Sequence, residues 1–339
     1  MTRYDPKKML DEDFDPKTLP GAMPHVGAAL RKRGINRSDH VVVDDILTHI
    51  DTKPMVADGS FSPTYQGSRY ERLWILSWLG PFYNDKQITD VLHRVKGGKE
   101  ANVYCCVAHP DTGLELLAAK VYRPRQFRNL RNDSQYRQGR ILLDGRGKPV
   151  QDRRARRAVE AGTRKGKEIQ HTSWLAYEFD TLRRLHQAGG DVPRPLVMGN
   201  NTILMEYIGA AGMAAPALVE VELRKREAKP LFDRLMHNVE LMLSLGRIHG
   251  DLSAFNVLYW QGEVKIIDFP QAIEPATNPD ARAILGRDVL RLCQYFARYG
   301  VASDATAIAD DLWARYGAKE DAGAEFDALV HADRTAAEE

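Results

Sequence analysis

From residue 88 onward the chain alternates in short steps. "ITDVLHRV" (88–95), "NVYCCVAH" (102–109) and "LELLAAKVY" (114–122) are rich in apolar and β-branched residues, with "KGGKEA" and "PDTG" between them. Such runs separated by Gly-containing turns predict a three-stranded antiparallel meander. The period then changes. In "TSWLAYEFDTLRRLHQAGG" (172–190) Leu175, Phe179, Leu182 and Leu185 form a helical stripe. Thr172 or Ser173 stands where a cap is wanted, and Gly189-Gly190 ends the run. "PLVMGN" (195–200) and "TILMEYI" (202–208) predict a second hairpin. A helix follows in "PLFDRLMHNVELMLSLGR" (230–247), lined by Phe232, Leu235, Met236, Val239, Met242 and Leu243. Residues 257–260 and 264–267 predict another hairpin about Gly262, and 278–300 and 305–317 read as helices.

Ahead of residue 88 the pattern is weaker. Residues 1–25 are charged and proline-interrupted, which predicts disorder. Residues 41–50 read as a short helix or strand, and 58–68 as a turn-rich linker. In "RYERLWILSWLGPF" (69–82) Leu73, Ile75, Leu76 and Leu79 suggest a helix ended by Gly80-Pro81. The order of three strands, helix, two strands and then mainly helices predicts an α+β fold. A sheet-rich lobe at about 88–208 precedes a helical lobe at about 209–330, within a domain of 69–330 that follows an extension, 1–68.

With 339 residues, 43% hydrophobic and 28% charged, the chain has room for a two-lobed enzyme. The net charge of +2 points to no nucleic-acid or membrane partner for the chain as a whole. The charge is uneven, however. Residues 123–168 hold 15 Lys/Arg and 5 Asp/Glu, a local +10. Without apolar periodicity, this stretch reads as a flexible basic insert, either a solvated loop or an electrostatic site for RNA or an acidic surface. The 3 cysteines have no paired spacing and apolar neighbours, as expected of buried thiols in a reducing cytosol. No apolar run approaches the ~18–20 residues that span a bilayer, so a cytoplasmic protein with no membrane partner is expected.

The chemistry concentrates in 248–271. There Asp251 and Asn256 stand in His249-x-Asp251-x4-Asn256, just before a strand, and Asp268 ends "VKIID". A hairpin about Gly262 returns Asp268 to the end of Asn256. An amide oxygen and a carboxylate then converge, both hard ligands suited to Mg²⁺ on phosphates, while Asp251 can take the proton of a hydroxyl or water. A lone aspartate more often caps a turn; this spacing with strands between is far less common as capping. Gly97 and Gly98 let backbone N–H groups approach phosphate, although an ordinary hairpin turn uses the same residues. Lys120 ends an apolar strand. Glu178, on or beside the apolar face of its helix, wants a cation, and Lys120 is the natural one.

The segments "GKEANVY" (98–104), "AAKVY" (118–122), "HGDLSAFNVLY" (249–259) and "IIDFPQ" (266–271) resemble the RIO family of atypical serine/threonine protein kinases, in order, across about 88–300. The resemblance implies a trimmed, bilobal kinase fold lacking an activation segment, with ATP and Mg²⁺, or Mn²⁺ in its place, between the lobes. It implies that Lys120 holds phosphates and Glu178 positions it, that Asp251 is the catalytic carboxylate, and that Asn256 and Asp268 hold metal. Asp268 is also where a phosphoaspartate would form. Gly97, Gly98, Lys99, Glu100, Val103 and Ile267 would line the nucleotide, with the backbone of Glu206 and Ile208 facing adenine. Ser253 stands where most protein kinases carry lysine, which removes one cation from the site. Pro270, where most have glycine, fixes φ and predicts a stiff segment after Asp268. The family's role in small-ribosomal-subunit maturation implies a protein, RNA or ribosomal partner for 123–168. Two alternatives stand beside this reading: a small-molecule phosphotransferase of the aminoglycoside or choline kinase kind, and a nucleotide-gated release factor on ribosomal particles.

Overall fold

The computed structural model describes residues 61–98, 100–122, 142–145 and 147–317. The expected extension before residue 61, Lys99, residues 123–141, Arg146 and residues 318–339 lie outside the described residues. Two compact units are present, one containing 67–77 and the other 61–66 and 78–317. The sheet, the later helices and the candidate site belong to the second. Helix α1 (Arg69–Asn84) does not stop at Gly80-Pro81 as expected. Proline removes one N–H of the ladder, and the helix closes beyond it where Asp85 N–H donates to the Pro81 carbonyl at 2.9 Å.

Strands β1 (Ile88–Gly97), β2 (Ala101–Ala108) and β3 (Leu116–Tyr122) form the expected meander. Strands β4 (Pro195–Met198) and β5 (Thr202–Glu206) form the second hairpin. Periodicity could not say how the two join. β5 pairs antiparallel with β3, giving one five-stranded sheet in the order β1-β2-β3-β5-β4. Cys105 and Cys106 are buried in β2, and Cys293 is also buried.

Between β3 and β4 the structure departs from the expected flexible insert. Helix α2 (Arg153–Glu160) starts on Asp152, whose side chain accepts the Arg154 N–H at 2.8 Å. Helix α3 (Arg164–Gln187) then begins eight residues before Thr172, capped by Thr163 through the Gly166 N–H at 3.1 Å. Ser173, expected as a cap, instead accepts the Leu143 N–H at 2.8 Å. Leu175, Leu182 and Leu185 are buried as the stripe requires, with Phe179 packed partly buried beside them.

A short ribbon, β6 (Gly209–Ala210) with β7 (Met213–Ala214), leads to helix α4 (Lys225–Ser244). α4 begins five residues before Pro230, where Glu227 accepts the Arg224 N–H at 3.0 Å. Strands β8 (Val257–Trp260) and β9 (Glu263–Ile266) form the predicted hairpin. Helices α5 (Ala281–Ala297) and α6 (Ala305–Leu312), followed directly by a π-helical turn at Trp313–Gly317, complete the described fold. Its core joins Phe232, Leu235 and Val239 of α4 to Val289, Leu292 and Phe296 of α5, and extends to Ile266 and Phe269. An α+β arrangement, with a sheet-rich part followed by a helical part, is therefore observed.

Candidate active site

Lys120 lies in β3 opposite Val103 of β2 and Ile203 of β5. Its neighbours Ala119 and Val121 are buried on the other face, so strand alternation turns the lysine away from them. Its Nζ lies 2.7 Å from Glu178 Oε1 and 2.5 Å from Asp268 Oδ1. The expected Lys120–Glu178 pair thus forms, and Asp268 joins it. Glu178 is 1% exposed. Tyr122, two residues on and so on the same face as Lys120, donates its hydroxyl to Glu178 Oε2. Burial, and then the Glu178 carboxylate, push the Tyr122 phenol well up, so it remains a donor. Burial alone would lower the Lys120 ammonium, but Asp268 and Glu178 outweigh it and hold its pKa well above the usual value.

The loop before β8 is fixed by its backbone. His249 is buried, and its Nε2 lies 3.1 Å from the Ile267 carbonyl while Asp251 N–H donates to Nδ1 at 3.2 Å. One ring nitrogen is then a donor and the other an acceptor, which is the neutral tautomer. Burial lowers the His249 pKa, which agrees with that state. Gly250 has φ +82, and a β-carbon there would sit 2.3 Å from the Gln271 carbonyl oxygen, so both conformation and space demand glycine. Asp251, 42% exposed, follows directly. Asn256 Nδ2 donates to the Asp251 carbonyl at 2.9 Å, which leaves its amide oxygen available to a ligand. Ile267 N–H donates to the Asn256 carbonyl at 2.9 Å and ties the two ends of the hairpin together. Asp268 comes next with φ +73, a left-handed conformation that aspartate tolerates better than most residues. Enclosure alone would raise its carboxyl, but Lys120 holds it below the ordinary carboxylate range.

Helix α5 adds residues that the sequence reading did not single out. Asp288 Oδ2 accepts the Gly250 N–H at 2.8 Å, Arg287 donates to the Gly250 carbonyl, and Arg291 Nη1 lies 2.7 Å from Asp251 Oδ1. Asp288 falls among Leu285, Val289 and Leu292 on the buried face of its helix. Like Glu178, it is a carboxylate on the apolar face of a helix, a pattern visible in the sequence. Tyr122 was accessible in the same way, two positions from Lys120 on one strand face. No local pattern marks Arg291.

The chain matches the RIO domain over residues 102–308. It belongs to the RIO family. It is similar to the RIO-type serine/threonine-protein kinase Rio1 of Haloferax volcanii, 29% identical over 214 residues, covering 63% of this chain and 66% of that one. It is also similar to the serine/threonine-protein kinase RIO1 of Chaetomium thermophilum, 30% identical over 243 residues, with 68% of this chain and 43% of that one covered. Human RIO1 is 29% identical over 223 residues, 34% of its length. The chain therefore spans between about a third and two thirds of these relatives. Among solved structures, the Rio2 kinase-ADP/Mg²⁺-phosphoaspartate complex from Chaetomium thermophilum matches with a TM-score of 0.48 at 17% identity, covering 87% of this chain and 86% of that one.

Within this RIO domain the remaining expected positions fall as follows. Gly97 ends β1, and a β-carbon on Gly98 would lie 3.0 Å from the Ala101 carbonyl oxygen, tight enough to favour glycine. Glu100 precedes β2, and Lys99 lies outside the described residues. Glu206 N–H donates to the Arg194 carbonyl at 2.8 Å, and the Ile208 carbonyl accepts the Ala215 N–H at 2.9 Å. Among the described residues no group of three or more His, Cys, Asp or Glu could hold a metal. An Asn–Asp pair that relies on phosphates and water for its other ligands suits Mg²⁺ rather than an all-protein cage. No helix among the described residues is long and apolar enough to cross a membrane.

Proposed function

We propose that this RIO-family chain is an ATP- and Mg²⁺-dependent phosphotransferase of the atypical serine/threonine kinase type, acting as a kinase, an ATPase or both. One observation carries the reading: Lys120 bridges Glu178 and Asp268, which lie 58 and 148 residues away in sequence. A surface lysine has no need of two carboxylates, whereas a phosphate-binding lysine is held by one of them and faces the metal ligand. ATP would lie with its phosphates beside Lys120 and the Gly97-Gly98 turn, and with adenine against the backbone of Glu206 and Ile208.

Asn256 and Asp268 would hold Mg²⁺, with Mn²⁺ as a substitute. The metal supplies charge neutralisation of the phosphates. Asp251 orients the acceptor hydroxyl or water and takes its proton. Asp268 would itself be the acceptor if the protein forms a phosphoaspartate. Ser253 favours a second reading, a nucleotide-gated release factor with slow hydrolysis, because it leaves the loop without the lysine that speeds transfer to peptides.

Nucleotide binding and turnover of the wild type beside Asp251→Ala and Asp268→Ala separate these readings. Asp251→Ala should retain Mg-ATP affinity and lose turnover by about 10²–10⁴-fold, and Asp268→Ala should lose both Mg²⁺ dependence and turnover. Unchanged turnover in Asp251→Ala removes the mechanism. Turnover without transfer to any protein acceptor favours the release factor.

A further inference from the structure

Phosphoryl transfer to a hydroxyl gathers negative charge around the transferred group, and preorganised cations there accelerate it. In this loop the position two residues after Asp251 is Ser253, extended at φ −164 and without charge. Helix α5 reaches the same loop from a different part of the chain. Arg287 and Asp288 hold the two backbone groups of Gly250. Arg291, one turn further along the helix, reaches past the backbone to the reacting carboxylate, with Nη1 2.7 Å from Asp251 Oδ1.

The pair is half open to solvent, with Arg291 39% and Asp251 42% exposed. An ion pair so exposed adds little to stability, so the contact calls for an account other than folding. Its geometry also divides the two oxygens of Asp251. Oδ1 is engaged by Arg291, and among the described residues Oδ2 has only a long 3.4 Å approach from Asn256 Nδ2.

Building on the phosphotransferase reading, we propose that Arg291 is a positioning residue for the transfer step and supplies from α5 the positive charge that Ser253 does not. It holds Oδ1 so that Oδ2 faces the acceptor hydroxyl. As the acceptor oxygen bonds to the γ-phosphorus, its proton passes to Oδ2. The bond from the γ-phosphorus to the bridging oxygen breaks, and ADP leaves with that electron pair. The guanidinium beside Asp251 offsets the charge that builds up during this exchange and keeps the carboxylate from turning toward Asn256.

The test measures kcat, the KM for ATP, nucleotide affinity and Tm for Arg291→Ala, Arg291→Lys and the double variant Arg291→Ala/Ser253→Lys. Arg291→Ala should lower kcat by about a hundredfold while KM for ATP, nucleotide affinity and Tm stay near wild type. At least one of the two lysine-bearing variants should recover about tenfold of that loss. The proposal is overturned if Arg291→Ala keeps wild-type kcat, if kcat falls together with nucleotide affinity and Tm, or if neither lysine restores rate. A wild type with no turnover overturns the phosphotransferase reading and this assignment with it. An active wild type with an equally active Arg291→Ala overturns this assignment alone.

Discussion

Asp288 is 1% exposed, and burial pushes its carboxyl up to about 7 even though the Gly250 N–H and nearby arginines pull it down. A carboxyl whose folded pKa lies above its unfolded value near 3.8 binds a proton more tightly in the native state. Its contribution to stability is therefore full below pH 4 and is lost as pH rises toward 7. Asp288→Asn retains one acceptor oxygen for Gly250 but cannot titrate. The stability advantage of wild type over Asp288→Asn should shrink between pH 4 and 7, by at most about 1.4 kcal/mol per pH unit, and flatten above 7. Urea unfolding at pH 5, 6, 7 and 8 measures this. Parallel curves would show that Asp288 stays ionised throughout, held by its backbone donors. At the same scale, the aspartates, asparagine and lysine of the site were legible because each is a polar residue at the end of an apolar strand or loop. Arg291 was not, because an arginine on a half-exposed helix face looks like any solvated cation.

The largest difference between expectation and structure at the scale of elements lies in α2 and the first turns of α3. The opening of α3, "RKGKEIQH", has no apolar stripe, so periodicity could not find it. It is held by close approach instead. A β-carbon on Gly166 would fall 1.9 Å from the Ala158 carbonyl oxygen, so only glycine lets α3 meet α2 there. This packing makes part of the basic insert an ordered surface, on which Arg153, Arg154, Arg156 and Arg157 are exposed. If the basic segment engages RNA, replacing these four arginines with glutamine should weaken binding and reduce the slope of log K against log salt by about 2–4. A filter-binding salt titration that returns the wild-type slope and affinity would place RNA contacts elsewhere. The hairpins, by contrast, were read closely from sequence, because strand alternation and turn glycines are local properties.

On the scale of the whole molecule, Lys120 joins three parts of the chain: the sheet through β3, helix α3 through Glu178, and the end of the β8–β9 hairpin through Asp268. Glu178 has almost no access to water, so removing its cation leaves a buried charge. Lys120→Ala should destabilise the fold by about 3–5 kcal/mol, and Lys120→Met with Glu178→Gln should recover much of that loss. Chemical unfolding of the two variants decides the point. A Lys120→Ala protein of wild-type stability would mean that Tyr122 and water suffice for Glu178. The acid limb should move as well. Lys120 holds the Asp268 carboxyl below its usual range, so this carboxylate's contribution is present above its unfolded pKa and is lost as pH falls. Without Lys120 the acid-unfolding midpoint should shift to higher pH.

By itself the sequence determined the kind and order of most of the elements and marked the residues of the candidate site. Alternation, helical stripes, turn glycines and the spacing His249-x-Asp251-x4-Asn256 are written within short windows, where backbone sterics and the burial of apolar faces act locally. Only the tertiary structure decided that β5 pairs with β3, that one lysine serves both Glu178 and Asp268, and that α5 holds the Gly250–Asp251 loop through Arg287, Asp288 and Arg291. These contacts join residues 37 to 148 positions apart. They depend on which faces pack together once the core has closed, and no local period of the chain records that choice.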